Sequence, residues 1–113
     1  METLPDCDWE VFKKIRPEML EALCARINGK VAQLVNKKGI NQHDKYLKLN
    51  KHIRKSYKVV SNCFDDFSKA SLPDTLEKLR VEGLLTDRYI ELFSPGTQEF
   101  LKEIQIPRKF LKS

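Results

Sequence analysis

The sequence predicts an all-α fold, a small helical bundle with two longer antiparallel helices and several short helices. Three observations predict it. Apolar residues recur at steps of three and four along most of the chain, and each such stripe is bounded by a proline, a glycine or a capping side chain. No run of four or more β-branched residues alternates with polar ones, and no Asn-Gly or Asp-Gly hairpin turn follows such a run. With 113 residues, 41% of them hydrophobic, the chain can fill one modest core. Residues 1–107 are expected to form a single helical domain and residues 108–113 a loose basic C-terminal tail.

Taken in order, Trp9, Phe12 and Ile15 recur at helical spacing, with Asp6 or Asp8 available to cap a short first helix that Pro17 ends. A second helix starts at Pro17, where a missing N–H costs little, and carries Leu20, Leu23, Cys24, Ile27, Val31, Leu34 and Val35 on one face. Gly39 closes it, and Asn41 with Asp44 opens the longest helix. That helix is expected to turn Tyr46, Leu49, Ile53, Tyr57, Val60, Phe64 and Phe67 inward, with Leu47 and Cys63 broadening the face.

Pro73 then starts a fourth helix with Leu76 and Leu79 inside, which Glu82-Gly83-Leu84 ends in a Schellman arrangement. Thr86 caps a fifth with Tyr89, Ile90 and Phe93, and Ser94-Pro95 opens a sixth with Phe100, Leu101 and Ile104 before Pro107. The expected core is Leu20, Leu23, Ile27, Val31, Leu34, Ile53, Tyr57, Val60, Phe64, Leu76, Leu79, Tyr89 and Phe93. The segment from Leu76 through Leu79, Gly83-Leu84-Leu85-Thr86-Asp87 and Ile90 resembles the short paired helices of the SHOCT-type unit found at the C-termini of many bacterial proteins. The resemblance covers about a seventh of the chain and implies a tight helical corner, with no function attached.

The start of the chain is acidic and lacks an apolar run, so neither a secretory signal nor a transit peptide is expected, and no stretch is apolar enough for a membrane span. Cys7, Cys24 and Cys63 are odd in number and far apart, with no Cys-x-x-Cys pair. A reducing, cytoplasmic location fits them, with Cys24 and Cys63 packing as small hydrophobes.

Catalysis finds little support. His43 and His52 stand nine residues apart and so on opposite sides of a helix, where they cannot share a site. No phosphate-binding glycine loop, dinucleotide fingerprint or His-Glu-x-x-His pair occurs, and Asp65 and Asp66 read as polar surface or loop caps. No catalytic residue, metal ligand, cofactor or small-molecule substrate is therefore expected.

The net charge of +5 is concentrated in the middle of the chain. Residues 30–58 carry nine basic groups against the single acid Asp44, whereas the flanking segments are slightly negative. Lys45, Lys48, Lys51, Arg54, Lys55 and Lys58 on the longest helix are the candidate binding residues. A solvated face, a protein partner or homo-oligomer, and weakly sequence-specific nucleic-acid binding all fit them. Lysine dominates over the Arg, Asn, Gln and stacking aromatics that read bases, which ranks protein interaction first.

Overall fold

The computed structural model describes residues 3–110 and is all-α, with no strand among them. Its helices are α1 (Asp6–Asn36), α2 (Gln42–Phe64), α3 (Leu72–Val81), α4 (Asp87–Ile90) and α5 (Pro95–Lys102), followed by a 3₁₀ turn at Arg108–Phe110. Leu111–Ser113, the rest of the expected loose tail, lie outside the described residues.

α1 and α2 form an antiparallel hairpin. Arg16 Nη2 donates to the Phe64 carbonyl (2.7 Å), His52 Nε2 to that of Ile27 (3.1 Å) and Lys45 Nζ to that of Val35 (2.7 Å), so one helix descends as the other rises. Gly39, at φ 87°, makes the turn in the left-handed region that favours glycine. Asn41 caps α2 as its sequence predicts, its side-chain oxygen accepting the Asp44 N–H at 2.8 Å.

The core lies at one end of this hairpin. Phe12, Ile15, Met19 and Leu23 from the first part of α1 pack with Cys63 and Phe64 of α2 and with Leu72, Leu76, Leu79, Leu84, Leu85, Ile90, Phe93 and Leu101 of the shorter elements. Little of the far end of the hairpin is covered, and the molecule measures 53 × 29 × 21 Å. Of the expected core, Leu23, Leu34, Phe64, Leu76, Leu79 and Phe93 are buried, while Leu20, Ile27, Val31, Val60 and Tyr89 are half-buried.

Three expectations need correction. First, Pro17 does not divide two helices, because α1 runs through it. Phe12, Ile15, Met19 and Leu23 lie on one buried line on both sides of the proline, whose ring faces solvent, and that shared burial offsets the lost backbone bond. Second, neither Asp6 nor Asp8 caps α1: Asp6 pairs with Lys69, and Asp8 reaches across to the start of α5. Third, Ile53 (48% exposed) and Tyr57 (66%) are not core residues, and Tyr46 (61%) is as open. The contact of α2 with the rest of the molecule runs through half-buried or buried Lys45, Leu49, His52, Ser56, Val59 and Cys63, about a quarter-turn from the most apolar line. Phe67 lies beyond the end of α2 and packs on Trp9, with ring centroids 5.1 Å apart, while the Arg16 guanidinium stacks on its ring at 4.6 Å.

The C-terminal half is held by corners whose chemistry is local. α3 starts with Pro73 in its first turn and ends at Gly83, φ 75°, in a Schellman motif: Leu84 N–H donates to Leu79 O and Gly83 N–H to Arg80 O, both at 3.0 Å. Buried Arg80 ties the following loops together by donating to Ile104 O (3.0 Å), Leu85 O (2.8 Å) and the Asp87 carboxylate (2.9 Å).

Candidate functional site

Two faces of the α1–α2 hairpin differ in chemistry. At 100° per residue, Lys48, Lys51 and Lys55 point to the side of α2 on which α3 packs, and Lys30 and Lys37 point to the same side of α1. These five lysines, with Leu34 and His52 between them, line a shallow cleft of about 310 Å³. It joins a larger groove of about 860 Å³ through the shared Lys30 and His52. The groove has an apolar floor of Leu23, Ile27 and Val59, and is bounded by Arg26, Glu82 and Phe110. The Arg26 guanidinium stacks on the Phe110 ring at 4.5 Å and donates to the Glu82 carbonyl at 3.0 Å, so this end of the groove is internally paired.

The cleft is not paired. Among the described residues the ion pairs are Lys13–Glu10, Arg26–Glu82, Lys69–Asp6 and Arg80–Asp87, and none involves the five lysines. The ammonium groups thus repel one another with no carboxylate between them, which costs a few tenths of a kcal/mol per neighbouring pair on a helix.

Of the residues singled out from sequence, Lys48, Lys51 and Lys55 are brought together in the cleft. Lys58 lies further along α2, over a separate depression with Tyr57, Ser61 and Asn62. Arg54 is exposed on the outer edge of the hairpin. Lys45 is half-buried and hydrogen-bonded to Val35 O, so it closes the hairpin and leaves the charged stripe. Lys30 and Lys37 were missed because they stand on the other helix. Their seven-residue spacing, equal to that of Lys48 and Lys55, is the sequence signal that an antiparallel pairing would have made meaningful.

The opposite face is apolar. Tyr46, Ile53 and Tyr57 on α2 and Val35 on α1 are exposed, with half-buried Leu49, Leu20, Val31 and Val60 beside them, of which Leu20 and Val60 also touch the core. Comparison with protein-family models, with curated proteins and with solved structures finds no match. The segment Leu76–Ile90 forms a helical corner closed by Gly83 and Arg80.

His43 is exposed, and His52 is half-buried and donates to Ile27 O. Asp66 accepts from Ser68 Oγ at 3.1 Å in the loop after α2, and Asp65 from the Ser61 hydroxyl one turn back at the end of α2. Burial pushes the Cys63 thiol up to about 11, so it stays protonated at neutral pH. Cys7 is exposed, Cys24 half-buried, and all three cysteines are free. Among the described residues no helix is long and apolar enough to cross a membrane.

Proposed function

We propose that this chain is a non-catalytic protein-interaction module that pairs with a second copy of itself through the apolar face of the α1–α2 hairpin. The observation that carries this is the exposure of Tyr46, Ile53 and Tyr57, three large side chains in line over about three turns of one helix. Scattered apolar residues are ordinary on a protein surface, but a continuous stripe shared by two helices is the form of an interface.

A second copy is the favoured occupant because of the charge around the stripe. The residues flanking it on α2 include Asn50 and Ser61, and Lys48, Lys51 and Lys55 are turned to the other side, so two such faces meet without bringing the lysine cleft of one copy against that of the other. An acidic partner would instead require the lysines at the rim. Face-to-face pairing of two hairpins also gives a four-helix arrangement, which buries the half-covered residues Leu20, Val31, Leu49 and Val60. The three free thiols suit the reducing environment of the cytoplasm.

Sedimentation equilibrium over a concentration series tests the pairing. The expected result is a dimer that Tyr57→Glu converts to a monomer with an unchanged helical spectrum. A strict monomer at every concentration overturns self-association. A heteromeric partner takes its place if a protein from the native source is retained by the unaltered chain and lost with Tyr57→Glu.

A further inference from the structure

We infer that the lysine cleft on the other face of the hairpin is a nucleic-acid backbone site, a track for phosphates assembled from both α1 and α2. This site is independent of the apolar face and of any pairing through it.

The case rests on shape and charge together. The contacts of Arg16 with Phe64, Ile27 with His52 and Val35 with Lys45 fix the register of the two helices, so Lys55 lies opposite residues 24–25 of α1. Lys37 stands twelve or thirteen residues further along α1, so at 1.5 Å per residue the track from Lys55 to Lys37 is about 20 Å long. Duplex DNA carries a phosphate about every 3.4 Å of helix axis on each strand, so a track of that length lies within reach of several phosphates. Lys48, Lys51 and Lys30 lie between these ends on both walls of the cleft. A single basic helix presents one row of charge. The hairpin presents two, with a channel between them.

Two features favour phosphates over the carboxylates of an acidic protein, beside an all-lysine lining whose point charges serve anionic oxygens from any direction. Only Leu34 and His52 separate the lysines, which leaves little of the apolar area at the centre of a protein interface. The apolar surface that would supply such a centre is on the opposite side of the hairpin. What remains is affinity from counterion release, which is how a protein holds a nucleic-acid backbone without reading its sequence.

The test is fluorescence anisotropy with a short labelled DNA duplex, titrated with the full chain at several salt concentrations. With five lysines engaged, log affinity should fall against log salt with a slope of about −4.5. Lys30→Gln and Lys37→Gln, each on α1, should each reduce that slope by about 0.9, as should Lys51→Gln on α2. Arg54→Gln, on the outer edge, should leave it unchanged. A melting curve for each variant separates loss of contact from loss of fold, and all four positions are exposed. The inference is overturned if no complex forms at low salt. It is also overturned if the α1 substitutions leave the slope unaltered, or if polyglutamate of equal charge binds more tightly than the duplex, which would assign the cleft to an acidic protein.

Discussion

The buried carboxylate of Asp8, near the start of α1, takes both the backbone N–H and the hydroxyl of Ser94, each at 2.8 Å, at the start of α5. Thr97 adds a third donor at 2.6 Å. Ser94 precedes Pro95 and makes no side-chain cap of its own, and Asp8, 86 positions away, satisfies its backbone N–H and so anchors the start of α5. The carboxylate is completely buried, and it is tolerated because the Ser94 and Thr97 donors aim at it from the positive end of α5, with the Cys7 thiol a weaker contact at 4.0 Å.

Asp8→Ala should therefore destabilise the protein by about 3–5 kcal/mol, since it removes charge-assisted bonds and leaves the Ser94 N–H without an acceptor. Thr97→Val should cost less, about 1–2 kcal/mol. Denaturant melts of both variants check the order, and equal costs would contradict the account.

Pro17 should be replaceable at a gain. It lies exposed inside α1 and withholds one backbone donor, so Pro17→Ala should raise stability by about 1–3 kcal/mol without moving the core. A loss of stability in thermal unfolding would mean that a bend at Pro17 is needed for Phe12 and Met19 to reach one core.

Gly83 answers to two constraints at once. Its φ of 75° is unfavourable for a side chain, and a Cβ there would meet Phe110 side-chain atoms at 2.5–2.8 Å. Gly83→Ala should cost about 1–2 kcal/mol for the backbone alone, plus displacement of Phe110 from Arg26. Phe110→Gly in the same chain, which removes the Cβ as well as the ring, should recover the steric part and leave the backbone part. Full recovery would show that the left-handed turn carries no cost.

The two sides of α2 should respond oppositely to substitution. Phe64→Ala should cost about 3–5 kcal/mol, enough to unfold a marginal domain. Ile53→Ser should change the stability of the isolated chain by less than about 1 kcal/mol, because about half of that side chain is already in water. Calorimetry at low protein concentration measures both, since pairing of chains would hide the difference.

Alkaline pH should act partly through Cys63. Its thiol is raised from 9.0 to about 11, so above 9.0 the unfolded chain loses a proton that the folded chain keeps. The stabilising contribution is therefore complete below pH 9.0 and lost as pH rises through about 11. In Cys63→Ala that pH-dependent loss is absent, so the stability difference between the two proteins should narrow over this range. A difference that stays constant in denaturant melts from pH 8 to pH 11 would rule the thiol out.

The sequence by itself determined the elements and most of their ends. The 3.6-residue period, the cap at Asn41, the glycine turns at Gly39 and Gly83 and the Ser94–Pro95 start all act within a few residues, and local chemistry is legible in a linear string. It also marked Phe64, Leu76, Leu79 and Phe93 as interior and showed charge concentrated between Lys30 and Lys58. Periodicity says that a helix has an apolar side; whether another element covers that side depends on where the rest of the chain goes. The tertiary structure settled that α3 to α5 gather at one end of the hairpin, which leaves Tyr46, Ile53 and Tyr57 uncovered and carries α1 unbroken through Pro17. It likewise joined Asp8 to Ser94, and Lys30 and Lys37 to the lysines of α2. Such meetings arise between residues distant in sequence, so no local pattern announces them.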